Sequence, residues 1–334
     1  MRELELIESV QRVLAGAPGD RSGGGRVVRG PGDDAAVVRG RGYAVTSIDT
    51  LVDGVHFRSG QLTPSEIGHR AMASALSDLA AMACEPGEAY IALCLPARTP
   101  TDDAIGLVAS ARAVCDRHGA TIAGGDVSSS ETLTVTVTVV GWSEEPVTRI
   151  GRDGARPGDL VAVTGALGGA GAGLALLDGR ASADALGDGA AAELHRRYAR
   201  PEPRIAAARA LRAIGATALI DVSDGIATDA RHLAARSGVE LQITLARLPR
   251  DEGVDAVAAQ LGVDPAAYAA SAGEDYELCA CLAPAAPEML AADAGLRAAL
   301  GPLTWVGRVL DGPGMLTFTD GDAAALAGFE HGRS

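Results

Sequence analysis

The sequence predicts a two-domain chain of mixed α/β, or α+β, class, and three observations predict it. Its 334 residues are enough for two cores of ordinary size. Apolar residues recur at helical spacing in some segments and in strict alternation in others, and the two kinds are interspersed along the chain. The turn-rich stretch Gly151–Asp159, GRDGARPGD, reads as a bridge and puts a boundary just before it, near Pro146. The expected domains are 1–146 and 147–334.

Composition narrows the partners. The chain is 47% hydrophobic with 43 glycines and 16 prolines, which fits a globular protein with many tight turns. Its formal net charge of -14 repels phosphate backbones and anionic lipid, so neither nucleic acid nor membrane is an expected partner. A divalent cation would still let such a protein bind an anionic nucleotide, because the ion inverts the local field.

Residues 1–15 mix charged and apolar residues at helical spacing and are too polar for a signal peptide or membrane span, so the expected location is the cytoplasm. The glycine-rich stretch Ala15–Gly30 reads as a mobile loop. Strands are expected around AAVV and YAVTSI, and a long, buried helix over Pro64–Met82 with Thr63 as its cap. Ala89–Leu95 follows as a strand, 103–118 as a helix, and TLTVTVTVVGW as a strand with one polar face. After the bridge come a buried strand in DLVAVTG, a helix opened by the Gly/Ala run to Leu177, and a break at RPEPRI. A further helix runs to Ile214, ALIDVSDG is a strand entering a turn, and IATDARHLAARSG is a helix closed by Gly238. Strands around LQITL, YELCACL and TWVGRVL complete the layer. The five cysteines form no C-x-x-C pair and read as buried thiols, and none of the six histidines sits at zinc-ligand spacing.

Four acidic sites in the first half stand among apolar or small residues: Asp33 and Asp34, Asp49, Asp78, and Asp126. A bare carboxylate there costs several kcal/mol, and the chain has no lysine to pair with it. Any one of these acids alone could be a helix cap or an Asx-turn, as Asp33 and Asp34 before a strand could, but four such sites together point to a shared metal. Magnesium fits, since it takes hard oxygen ligands and keeps waters and phosphate oxygens in its shell. The second half adds Asp221 and Asp224 around Ser223, at a helix start whose N–H groups suit an anion. It also adds Glu274, Asp275 and Glu277 after Gly273, which on their own read as a solvated acidic turn. With no lysine a P-loop is excluded, and VTGALGGAGAGLAL departs from the dinucleotide fingerprint. Arg152 is a candidate phosphate contact.

Taken in order, GDDAAVV, S-x-D-T-L-V-x-G-x-H-F, LSDLAAM, GGD, GARPGD, RPEPRI, DVSDGIATD and GEDYELC resemble the thiamine-monophosphate kinases, from about residue 32 to Phe329. The resemblance implies a PurM-like two-domain architecture: an N-terminal mixed α/β domain whose sheet pairs across a homodimer, and a C-terminal α/β domain that completes the nucleotide and substrate site. It implies ATP-dependent phosphorylation of thiamine monophosphate by direct in-line transfer. The implied magnesium ligands are Asp34, Ser47, Asp49, Asp78, Asp126, Asp221 and Asp224, with Asp33 beside them as a further candidate. Gly125, Asp126, Arg152 and Ser223 would touch ATP; His56, Asp275 and Phe329 would contact the acceptor; Asp78, Asp126 and Arg152 would carry the transfer. Two positions depart from the family pattern. Ile48 replaces a hydroxyl residue, which leaves only a backbone carbonyl there, and Ala83 replaces a glycine, a change expected to affect packing only. Another PurM-like ATP-dependent enzyme and a non-catalytic metal or nucleotide sensor are the alternative readings.

Overall fold

The computed structural model describes residues 3–14, 26–31, 35–144, 150–187, 189–326 and 328. Contacts divide the chain into two units, 1–79 with 84–146 and 147–334 with 80–83.

The first unit runs α1 (Glu3–Leu14), β1 (Val27–Arg29), β2 (Val37–Val38), β3 (Tyr43–Val52), α2 (Pro64–Ala81), β4 (Glu85–Pro96), α3 (Thr101–His118), β5 (Thr121–Ser130) and β6 (Thr134–Ser143). Its main sheet has the order β3-β6-β4-β5, with only β4 and β5 parallel, so β3 and β5 are the two edges. The Thr/Val alternation of β6 sorts as read: Val135, Val137 and Val139 are buried, while Thr134, Thr136 and Thr138 are half-buried on the other face. The glycine-rich loop ends sooner than expected, because Val27–Arg29 pairs with β2; residues 15–25 lie outside the described residues.

Helix α2 starts on a capping box. The Glu66 carboxylate accepts the Thr63 N–H at 2.8 Å, and Thr63 Oγ1 accepts the Glu66 N–H at 3.3 Å. It ends in a Schellman turn, with the Ala83 N–H on Ala80 O at 2.8 Å and the Cys84 N–H on Leu79 O at 3.0 Å. Ala83 sits in the left-handed region with φ 49°, so its replacement of a glycine is a matter of backbone conformation and not of packing alone.

The second unit contains β7 (Leu160–Thr164), α4 (Gly169–Leu177), α5 (Ala190–Ala199), α6 (Ile205–Ala213), β8 (Ala216–Asp221), α7 (Ile226–Ser237), β9 (Glu240–Ile243), α8 (Val254–Leu261), α9 (Pro265–Ser271), β10 (Leu278–Leu282), α10 (Ala286–Ala292), α11 (Ala294–Leu300), β11 (Leu303–Leu310) and β12 (Met315–Phe318). The sheet order is β12-β9-β11-β7-β10-β8. Both β7 and β8 run antiparallel to β10, so they are parallel to each other and their carboxyl ends, followed by α4 and α7, point the same way. Brought together at that end are the start of β10 and the turns that carry the candidate acids. Cys279 and Cys281 are free and buried in β10, and Cys84 and Cys115 are buried as well. Among the described residues no helix is long and apolar enough to cross a membrane.

Candidate functional site

In the first unit, β3 and α2 bring two candidate ligands together. The Ser47 hydroxyl donates to Asp78 Oδ2, and Asp78 is half-buried on a helix that is otherwise buried from Ile67 to Ala81. Asp49, two residues along β3 on the same face, accepts the Thr50 N–H at 3.0 Å. Where β3 ends, the His56 ring accepts the Val52 N–H on Nδ1 at 3.1 Å.

Asp126 lies elsewhere. Register runs Thr50–Thr136–Ala92–Asp126 across the four strands, so Asp126 shares a row with Thr50, on the face away from Ser47 and Asp49. It is also on the opposite edge, about 14 Å from β3 at ~4.8 Å per strand. A cavity of about 820 Å³ opens along β5, walled by Gly125, Asp126 and Tyr90 and by Ile7 and Val10 of α1. Asp33, Asp34 and Phe329 lie outside the described residues.

In the second unit, the turn after β8 holds Asp221, Ser223 and Asp224. Just ahead of the start of α7, the N–H groups of Ser223 and Asp224 both donate to Asp229 Oδ2 at 3.1 Å. Burial pushes the Asp229 carboxyl up to about 8, and the charges of Asp221 and Asp224 add to the rise. Arg152 is exposed, and its carbonyl accepts the Ser237 hydroxyl at 2.8 Å.

The expected solvated acidic turn at 273–277 is not solvated. Asp275 is 2% exposed and Glu277 fully buried. The segment is tied to the acidic turn, with the Glu274 N–H on Ser223 O at 2.7 Å and the Tyr276 N–H on Val222 O at 2.9 Å. Glu274 and Tyr276 take φ of 67° and 51°, strain that those bonds hold in place. Glu277 accepts from Thr164 at 2.8 Å, from Arg197 at 3.1 Å, and from both Nε (2.7 Å) and Nη2 of Arg204. RPEPRI and GEDYELC are thus two halves of one buried ion cluster, which also includes Asp251 on Arg197 at 2.9 Å. Burial pulls the Arg197 guanidinium down, but Glu277, Asp251 and Asp275 outweigh it and leave it above its ordinary value.

This cluster was not legible as such, although a glutamate opening an apolar strand in a chain without lysine was the signal for it. Glu277→Ala removes the carboxylate shared by two guanidinium groups and leaves Arg197 with Asp251 as its remaining ion pair. The expected loss is about 3–5 kcal/mol, read as a lowered denaturation midpoint.

Asp275 accepts the N–H of Gly168 at 2.7 Å and of Ala170 at 3.2 Å, the start of α4. Burial pushes its carboxyl up to about 7, against Arg197 and those N–H groups. A folded value above the ~3.9 of a free aspartate means a contribution complete below pH ~4 and lost as pH rises through about 7. The melting temperature of the ligand-free protein should therefore carry a downward slope over that window, and Asp275→Asn should flatten that part of it in calorimetry.

The donors are hard oxygens, which suits Mg2+. Among the described residues no three His, Cys, Asp or Glu side chains converge on one point. That is compatible with an ion that ordinarily binds one or two carboxylates and completes its shell with waters and phosphate oxygens.

The chain matches the AIR synthase related protein family, its N-terminal domain over residues 32–143 and its C-terminal domain over 156–315. It is 38% identical to a thiamine-monophosphate kinase of Mycobacterium tuberculosis over 308 residues, 91% of this chain and 86% of that protein. Its fold superposes on the crystal structure of thiamine-monophosphate kinase from Stenotrophomonas maltophilia K279a with a TM-score of 0.81 and 33% identity, covering 97% and 98% of the two chains. It also superposes on AaThiL complexed with AMPPCP and TMP, with a TM-score of 0.72 and 29% identity over 96% of each chain.

Proposed function

Because this chain belongs to the thiamine-monophosphate kinase family, we propose that it transfers the γ-phosphoryl group of ATP to thiamine monophosphate, giving thiamine diphosphate and ADP, the last step in making thiamine diphosphate. The observation that carries the reading is the 38% identity to a named thiamine-monophosphate kinase across 91% of the chain. The match to a structure complexed with AMPPCP and TMP supports ATP and the phosphate ester as the two substrates.

The acceptor is a phosphate monoester whose oxygen is ionised near neutral pH, so attack on the γ-phosphorus needs no general base. What the chain must supply is position and charge compensation. Ser47, Asp49, Asp78 and Asp126, with Asp33 and Asp34, and Asp221 with Asp224 would hold Mg2+, which when bound offsets the charge of the two phosphates. The Ser47–Asp78 bond supports one part of this set, and the Asp221–Asp224 turn beside Asp229 supports another. Gly125 and Asp126, beside the β5 cavity, are read as nucleotide contacts, together with Ser223 and Arg152, whose guanidinium is matched to phosphate oxygens. His56 and Phe329 are read as acceptor contacts. Asp275 is read as an acceptor contact as well; each of its oxygens accepts one N–H at the start of α4, which also anchors the strained 273–277 loop.

The working form is read as a cytoplasmic homodimer. Tyr43 and Ile48 are 51% and 65% exposed on β3, whose outer edge, ten residues long, no other described strand pairs, and such edges are normally covered. A second copy against this sheet is also what can bring Asp126 within reach of the acids at the other edge.

Product analysis tests the function. Purified protein with ATP, Mg2+ and thiamine monophosphate should yield thiamine diphosphate and ADP in equal amounts, and none with thiamine or an aminoimidazole precursor as acceptor. Nucleotide binding without diphosphate formation would overturn the kinase reading.

A further inference from the structure

We infer that Asp229, which is neither a candidate ligand nor a candidate substrate contact above, is the residue that positions Ser223 and Asp224 for the nucleotide and its cation. The inference rests on the nucleotide reading of that turn. Asp229 is the last acid of DVSDGIATD, in the first turn of α7, and is 3% exposed.

One atom, Oδ2, accepts the N–H of two successive residues, each at 3.1 Å. A single acceptor shared by neighbouring donors fixes both peptide planes, and with them the directions in which the Ser223 and Asp224 side chains leave the backbone. The carbonyl side of the turn is secured separately, by the N–H groups of Glu274 and Tyr276 on Ser223 and Val222. Glycine allows the close approach around it: a side chain at Gly273 or Gly328 would run into the backbone of Ser223 or Asp224.

The oxygen of Asp229 that faces the turn is committed to these donors, and its carboxyl is buried. Its effect on ligands therefore passes through the two residues it holds. The role needs an acceptor oxygen in that place, which asparagine retains and alanine does not.

The test uses the full-length protein, AMPPCP as a nucleotide that does not turn over, and Mg2+, with binding read by calorimetry. Asp229→Ala should weaken Mg2+–AMPPCP binding by ~10- to 100-fold, the usual cost of losing a residue that orients a ligand. It should raise the KM for ATP in step and leave the KM for thiamine monophosphate within ~3-fold, while Asp229→Asn stays within a few-fold of wild type throughout. Wild-type affinity in folded Asp229→Ala, equal damage to both KM values, or an asparagine variant as weak as the alanine one would each overturn the inference. Should the alanine variant not fold, the asparagine variant decides alone: retained binding supports the role and lost binding ends it. Failure of the kinase reading would show separately, as wild-type protein that binds AMPPCP and makes no thiamine diphosphate.

Discussion

Asp78→Asn is expected to lower kcat by at least ~10³-fold while the protein stays folded and keeps its melting temperature within a few degrees. Fold retention is expected because the substitution is isosteric and the amide oxygen can still accept the Ser47 hydroxyl. Asp78 is half-buried on helix α2, where Ala75, Leu76 and Leu79 are buried. What is lost is one full negative charge in the set of acids read as holding Mg2+ against the phosphates, and electrostatic positioning is the main contribution open to a phosphoryl-transfer site. The loss should be only partly recovered by raising Mg2+, and steady-state kinetics over a Mg2+ series checks it. A variant that recovers full kcat at high Mg2+ would show Asp78 acting on ion affinity alone. One that retains full activity throughout would remove it from the site.

Much of the fold was readable because its signals are local. The Thr/Val alternation from Thr134 to Val140 announced β6, and Thr63 ahead of a helical pattern announced the start of α2. Strand β5 was not readable, since AGGDVSSS is a sequence of small and turn-forming residues that only the pairing with β4 makes extended. The short alanine-rich helices α8 to α11 offered too few turns for a period to show. For the site, residue types were legible and neighbours were not. Asp221, Ser223 and Asp224 stood out as a motif, yet that their turn is tied to 273–277 and held by Asp229 depends on strand order, which no local pattern encodes. Glu277 shows the same limit: its charge was visible, but its burial against Arg197 and Arg204 requires β7, β10 and the segment from 197 to 204 to meet.

Strand order also carries the second large prediction. Within one chain Asp126 is separated from Ser47, Asp49 and Asp78 by two intervening strands and lies on the other face of the sheet. No side-chain rotation spans that distance, so if these residues serve one nucleotide, the expectation is that two copies supply them. Asp126→Asn and Asp78→Asn, each inactive alone, should then complement one another when mixed and allowed to exchange subunits. Random pairing makes about half of the dimers mixed, and each mixed dimer has one site carrying both defects and one carrying neither, so activity should return to ~25% of wild type. If each chain built its own site, every site would carry one defect and nothing would return. Exchange is verified independently, by capturing a tagged copy of one variant and detecting the other, and the recovered activity should scale with the captured mixed fraction. Exchange without recovered activity would assign Asp126 and Asp78 to sites completed within a single chain, and would require the sheet edge at β5 to reorganise when nucleotide binds.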